Sequence, residues 1–156
     1  MDAVAVLASG GMDSCVLLAD LAEDANVSPL YVKKGLAWED AELAALVTFI
    51  GALGNPNIGP VTTLKLPVKD IYGKHWSVSG EGAPEYDAPD NAVYLPGRNV
   101  LLIGLSAVWC STHKIHRIAI GSLGGNPFPD ATPTFFESFT ASLSQGLSHR
   151  ITLEAP

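Results

Sequence analysis

The sequence is poor in cysteine, in basic residues and in long apolar runs. It has 2 cysteines, and its 9 lysines and arginines face 16 acidic residues, which gives a net charge of −7. An acidic chain is not drawn to nucleic acid or to an anionic membrane surface. No stretch approaches about 18 apolar residues, and no basic segment precedes the first apolar run, so neither a membrane span nor a signal peptide is expected. These absences predict a cytoplasmic protein with no nucleic-acid or membrane partner.

Cysteine usage and length set further bounds. Cys15 and Cys110 fall inside apolar helical patterns and are expected to be buried thiols of a reducing compartment, because two cysteines cannot form a four-cysteine zinc site. At 156 residues with 47% hydrophobic content, the chain is long enough for one domain with a full core and too short for two. We therefore predict a single domain over residues 1–156.

The stretch that organises the chain lies near its N-terminus. Residues 3–8, AVAVLA, read as an apolar strand, and the turn Ser9-Gly10-Gly11-Met12-Asp13-Ser14 leads into an apolar helix. A strand, a glycine-containing turn and a helix bring backbone N–H groups and a helix N-terminus to one point, which favours anions. The turn lacks the Gly-Lys-Ser/Thr of a Walker loop, and it is not a GxGxxG fingerprint, since the next glycine is Gly35.

Each residue type in this turn suits a phosphate site. Gly10 and Gly11 allow positive φ and let phosphate oxygens approach the backbone, and Ser9 and Ser14 offer hydroxyl donors. Asp13 cannot donate, so it is interpreted either as the N-cap of the helix or as a ligand for Mg²⁺. The alternative is an ordinary strand-to-helix turn in which the glycines serve the bend and Asp or Ser serves the cap.

The remaining chain alternates strands with helices. The first helix is predicted to reach about Ala25, and a turn follows at 26–29. Further strands are predicted at 30–32, 61–66, 116–121 and 150–153, and further helices at 39–54, 100–110 and 133–146, the last capped by Thr132 ahead of Pro133. This order predicts an α/β fold, a three-layer sandwich with a mainly parallel, Rossmann-like sheet and a ligand site at the carboxyl ends of its strands.

Three loops at strand ends can converge on one pocket. They follow Ala8, precede Arg98 and follow Gly121. Residues 67–92 hold no sustained period and are predicted to be an active-site loop or lid. Arg98 and Asn99 are predicted to begin a buried helix, where the dipole disfavours a cation. Binding ATP phosphates or a substrate carboxylate gives the arginine a reason to be there, and a solvated arginine at a loop end is the alternative.

Three motifs together carry a family resemblance. SGGMDS near the start, VYLPGRN at 93–99 and PFPDATPTFF at 127–136 resemble the 7-cyano-7-deazaguanine synthase family of the N-type ATP pyrophosphatases, or PP-loop proteins. The similarity covers nearly the whole chain in the correct order. It implies an adenine nucleotide alpha-hydrolase-like fold and an ATP-dependent carbon–nitrogen ligase that uses Mg²⁺. In that family a carboxy-deazaguanine is adenylated, takes up ammonia to give an amide, and is activated again to give the nitrile, and the resemblance implies the same reaction here.

The resemblance also implies roles for individual residues. Asp13 and Arg98 are expected to be catalytic, and Asp13 also to hold the metal. Arg98, Asn99 and Asp130 are expected to bind the deazapurine acid. The place of Asp130 is argued from chemistry rather than from the resemblance: a carboxylate can accept two parallel N–H bonds from the amidine edge of a guanine-like ring, and a turn residue or helix-flanking charge is the alternative. ATP is expected to contact the loop residues Leu7, Ala8, Ser9, Gly10, Gly11, Met12, Asp13 and Ser14.

The sequence departs from the family pattern at three places. The zinc-binding cysteine cluster usual in the family is absent from this sequence, the aromatic-x-Gln pattern after the second strand is replaced by residues 31–35, YVKKG, and Cys-Arg is replaced by Ala131-Thr132. These departures are interpreted as those of a truncated form or of a divergent member, and a homodimer is one expected assembly. The alternative function is a PP-loop protein with a different substrate, or a non-catalytic ATP-binding or dimerising module.

Overall fold

The computed structural model describes residues 1–9, 11–35, 37–72, 96–121 and 128–156. Five strands alternate with helices along these ranges. In chain order they are β1 (Asp2–Leu7), α1 (Met12–Leu21), β2 (Ala25–Lys33), α2 (Glu39–Leu53), β3 (Thr62–Lys65), α3 (Lys69–Tyr72), α4 (Arg98–Thr112), β4 (Arg117–Ile120), a 3₁₀ turn (Pro129–Ala131), α5 (Pro133–Leu147) and β5 (Thr152–Glu154).

The five strands form one sheet in the order β3-β2-β1-β4-β5, and every neighbouring pair is parallel. The chain adds β2 and β3 on one side of β1, and then β4 and β5 on the other. Leu7 at the end of β1 is in register with Ile120 at the end of β4. The strand order reverses between these two strands, and ligands of open parallel sheets bind in the crevice outside their carboxyl ends at this point.

Helices cover both faces of the sheet, as the alternating side chains of β1 require. Val4 and Val6 pack in a cluster with Leu46 of α2, whereas Ala5 belongs to a second cluster with Ile103 of α4. Successive strand residues point to opposite faces, so a strand that is buried throughout needs apolar cover on both. The predicted three-layer α/β sandwich with a parallel sheet is confirmed.

Two predicted boundaries on one side of the sheet are wrong. The first helix ends at Leu21, before the predicted Ala25, and the predicted turn at 26–29 is part of β2. Pro29 is in register with Val6 of β1, but it has no paired residue in β3, because the pairing of β2 with β3 begins one residue later. A proline can lie where no neighbouring strand needs its missing N–H.

The predictions of two helix ends and of one buried cysteine agree with the structure. Gly54 ends α2 in the left-handed region with φ 61°, and the Thr132 hydroxyl caps α5 by accepting the N–H of Phe135 at 3.1 Å. Cys110 is fully buried, and burial raises the pKa of its thiol to about 12. The prediction that Cys15 is buried is wrong, because this residue is only partly buried; both cysteines are free thiols. Within the described ranges, no helix combines the length and apolar character needed to cross a bilayer.

Candidate active site

The turn between β1 and α1 is held by the two serines that the sequence singled out. The Ser14 hydroxyl accepts the backbone N–H of Ser9 at 3.1 Å and donates to the Gly11 carbonyl oxygen at 3.1 Å. The Ser9 hydroxyl accepts the N–H of Gly11 at 3.3 Å and lies 3.4 Å from the Ser14 hydroxyl. These contacts fix the shape of the turn and use two of its amides internally.

Three further amides of this turn have no partner within the described part of the chain. Gly11 is the N-cap of α1, and no side chain caps the helix. The first helical bond runs from the N–H of Cys15 to the Gly11 carbonyl oxygen. The N–H groups of Met12, Asp13 and Ser14 are therefore left for an external acceptor, as expected at an uncapped helix N-terminus.

Asp13 lies in the first turn of α1 with its carboxylate exposed. Its interpretation as the N-cap is wrong, because Gly11 occupies that position. Gly11 has φ −75°, so the prediction of positive φ there is also wrong, and Gly10 lies outside the described residues. Among the described residues no cluster of three or more His, Cys, Asp or Glu could hold a metal ion. A single exposed carboxylate beside phosphates is nevertheless a donor set that suits Mg²⁺, which keeps several waters and takes phosphate oxygens as ligands.

The two residues preceding the turn belong to the core. Leu7 and Ala8 are 8% and 6% exposed and pack on opposite faces of the sheet. The N–H of Ala8 donates to the Leu30 carbonyl oxygen at 2.9 Å, so its amide is committed to the sheet. Met12, in contrast, is 82% exposed at the start of α1. Of the predicted ATP-binding stretch, residues 11–13 are exposed, whereas Ser14 is only 5% exposed.

Gly121, at the carboxyl end of β4, lies directly against this turn. A Cβ at this position would be 3.3 Å from the Asp13 Cβ and 3.5 Å from the Ser14 amide nitrogen. The close approach of β4 to the first turn of α1 therefore depends on the absence of a side chain. The sequence offered one signal for it, a glycine closing the apolar strand IAIG, but no role was predicted.

Arg98 and Asn99 begin α4, as predicted. Asp130, only 7% exposed, accepts the N–H of Asn99 at its Oδ2 at 2.8 Å, and the Asn99 side-chain amide donates to the Asp130 carbonyl oxygen at 3.0 Å. Asp130 thus binds one of the free amides at the start of α4 and offsets its positive end. Of the three roles considered for Asp130, the geometry supports the helix-flanking charge, and pairing with a ring edge through Oδ1 stays a prediction.

The turn before Arg98 is fixed from two directions. Gly97 has φ 73°, a left-handed conformation that strains other residues. The Tyr72 hydroxyl donates to the Pro96 carbonyl oxygen at 2.7 Å and ties α3 to this turn. Most of the predicted lid at 67–92 lies outside the described residues, which omit 73–95 and 122–127. Its described beginning contains the buried Val68 and the short helix α3.

The carboxyl end of β2 has its own anchor. Glu39, only 6% exposed, accepts the backbone N–H groups of Lys34 at 2.5 Å and Gly35 at 2.9 Å. The pKa of Lys34 is lowered to about 8, mainly because its ammonium group is buried and also because the Arg98 guanidinium repels it. Attraction from Glu39 and Glu42 opposes this shift. The sequence marked residues 31–35 only as a departure from the family pattern.

Comparison with known proteins places this arrangement in a family. The family model described as "Queuosine biosynthesis protein QueC" matches residues 3–156, nearly the whole chain. The chain belongs to the QueC family. The resemblance stated from the three motifs is confirmed.

Relatives of the QueC family are similar along the whole chain. The chain is 31% identical to 7-cyano-7-deazaguanine synthase 1 of Desulfitobacterium hafniense over 163 residues, covering 98% of this chain and 69% of the relative. It is 28% identical to 7-cyano-7-deazaguanine synthase of Methanocaldococcus jannaschii, covering 100% of this chain and 71% of the relative.

Among solved structures, the predicted subunit of a tRNA methyltransferase from M. jannaschii matches with a TM-score of 0.54 and 19% identity. The match covers all of this chain and 68% of the other. At this identity the likeness concerns the fold alone.

Proposed function

We propose that this chain is an enzyme that converts 7-carboxy-7-deazaguanine and ammonia to 7-cyano-7-deazaguanine at the expense of ATP. Membership of the QueC family supports an enzyme of this class, and the relatives that cover the chain are named 7-cyano-7-deazaguanine synthases. The observation that carries the proposal is the group of amides of Met12, Asp13 and Ser14, which have no partner within the described ranges and lie where the strand order reverses.

In the proposed reaction the substrate carboxylate attacks the α-phosphorus of ATP. The bond to pyrophosphate breaks, and an acyl-adenylate forms. The free amides of α1 would receive the negative charge of the departing pyrophosphate, and the helix dipole would add to this effect. Asp13 would hold Mg²⁺, which supplies charge neutralisation at the phosphates. No protein nucleophile is required, because positioning and charge stabilisation are sufficient for such a transfer.

Ammonia then displaces AMP from the acyl-adenylate and gives the amide. A second ATP activates the amide oxygen with loss of pyrophosphate, and this oxygen leaves with AMP as the nitrile forms and two protons are released. We propose that Arg98 orients the substrate carboxylate or the phosphates, and that Asn99 and Asp130 keep α4 in position beside them. We further propose that residues 1–156 act as a single domain, since β1 and β5, from opposite ends of the chain, share one sheet.

The proposal is tested by incubating the protein with ATP, Mg²⁺, ammonia and 7-carboxy-7-deazaguanine. Mass spectrometry should detect the amide, the nitrile, AMP and pyrophosphate. Asp13→Asn should lower the rate of pyrophosphate release by about 100-fold. Asp20→Asn is the matched control because Asp20 is an exposed acid in the last turn of the same helix. Binding of ATP without any AMP would support the alternative, a non-catalytic nucleotide-binding module, and would refute the proposed reaction.

A further inference from the structure

We propose that Tyr72 is a positioning residue for Arg98. Its hydroxyl fixes the peptide group that precedes α4, and with it the position from which the Arg98 side chain leaves the start of this helix. Tyr72 acts through the backbone and touches no reacting atom. The contact of Arg98 with a substrate carboxylate or phosphate rests on the proposed function, whereas the fixed start of α4 does not.

The local sequence leaves the conformation of the turn before α4 open. The ring of Pro96 sets its own φ, but not the orientation of the peptide group that joins it to Gly97. Gly97 lies at φ 73° and ψ 14°, and a glycine adopts this and many other conformations at little cost. Gly97 is also the N-cap of α4, and it has no side chain with which to cap the helix. Contacts from elsewhere in the fold must therefore select the conformation in which α4 begins.

Two tertiary contacts select this conformation, one on each side of Arg98. The Tyr72 hydroxyl donates to the Pro96 carbonyl oxygen at 2.7 Å, across 24 residues of sequence. On the other side, the Asn99 N–H donates to the buried Asp130 carboxylate at 2.8 Å. Arg98 itself is exposed and forms no ion pair within the described ranges. A binding group that is held on a fixed backbone loses less conformational freedom when its ligand arrives.

Tyr72 can fix this turn because its own helix is tied to the sheet. The Tyr72 N–H donates to the Val68 carbonyl oxygen at 2.9 Å, and Val68 is fully buried. The Val68 N–H in turn donates to the Lys34 carbonyl oxygen at 3.1 Å, directly after the end of β2. A continuous series of hydrogen bonds therefore runs from the end of β2 through α3 to the start of α4.

Amide hydrogen exchange on the whole chain tests the positioning without any ligand. Tyr72→Phe removes only the hydroxyl and should raise the exchange rates of the Asn99 and Leu101 amides by about fivefold, because both are hydrogen-bonded in the first turn of α4. Exchange in β1 should stay within about twofold, whereas a general loss of stability would raise it too. Tyr31→Phe is the matched control, because it removes a hydroxyl that donates to Glu42 of α2, and it should change the same two rates by less than about twofold.

A double-mutant cycle tests whether Tyr72 acts through Arg98. Tyr72→Phe alone should lower kcat/KM for pyrophosphate release by about fivefold, the factor expected for one hydrogen bond. In an Arg98→Met background the same substitution should have an effect of less than about twofold, because the group that it positions is absent. Tyr31→Phe should stay within about twofold of its parent in both backgrounds. A merely structural tyrosine would give the same loss with and without Arg98.

The outcomes separate the positioning role from the proposed reaction. Unchanged exchange at Asn99 and Leu101 in Tyr72→Phe, or equal losses of kcat/KM in the two backgrounds, would overturn the positioning role and leave the proposed reaction intact. If the wild type forms neither AMP nor the nitrile, the proposed reaction is overturned, and the exchange rates alone decide whether Tyr72 fixes the start of α4.

Discussion

Replacement of Glu39 by Gln probes the anchor that shapes the end of β2. The carboxylate accepts two backbone N–H groups, from Lys34 and Gly35, in a residue that is 6% exposed. Gln has nearly the same shape, but one of its two oxygens becomes an NH₂ group that faces an N–H donor. One charge-assisted bond is lost and one partly buried donor is left unsatisfied, which costs about 2 kcal/mol of unfolding free energy. For a chain of this size the unfolding midpoint should fall by about 4–8 °C.

The neighbouring Asp40 provides the control for this experiment. Asp40→Asn is the same chemical change, one residue along in the first turn of α2, so it removes the same favourable interaction with the helix dipole. Its side chain is 99% exposed and its pair with Lys33 spans 3.6 Å, so only about 0.5 kcal/mol should be lost. Urea and thermal denaturation of both variants give the comparison. Equal losses within about 0.5 kcal/mol would refute the argument that Glu39 anchors the β2 end.

Two other substitutions test neighbouring parts of the site. Gly121→Ala should weaken ATP binding by about tenfold and lower the unfolding free energy by about 1–2 kcal/mol, because the new Cβ would press on Asp13. An unchanged affinity for ATP in calorimetry would contradict this. Gly51→Ala, with open space around it in α2, should instead gain about 0.5–1 kcal/mol. Thr132→Ala should lower the unfolding free energy by about 1 kcal/mol, because it removes the cap of α5. The control, Thr134→Ala at an exposed position of the same helix, should be nearly neutral in denaturant unfolding. Equal effects of the two substitutions would argue against the cap.

Local patterns predicted those parts of the fold that depend on neighbouring residues. The strand, turn and helix around Ser9 to Ser14, the cap at Thr132 and the left-handed end at Gly54 each follow from a few consecutive side chains. The parallel sheet followed from the alternation of strands and helices. The stretch at 26–29 was misinterpreted because Asn and Pro are typical of turns, whereas pairing with β1 extends the strand through them.

The anchors of the site could not be predicted in the same way. Asp130 binds the start of α4 from 31 residues away, and Gly121 meets α1 only because β4 is placed next to β1. Glu39 was assigned to the first turn of a helix, where acids are common, and nothing local distinguished it from the exposed Asp40. Which acid is buried depends on the tertiary contacts of the end of β2.

The position of β1 in the sheet has a consequence for the order of folding. Its pairing with β2 closes a short segment of chain, whereas its pairing with β4 must wait for residues from the far end of the sequence. Short closures cost less entropy and occur sooner, so the β1–α1–β2 unit is expected to assemble first, including during synthesis on the ribosome. The turn at residues 9–14 would then be in place before Arg98 and Gly121 have been translated, and the late docking of β4 would bring Gly121 against it.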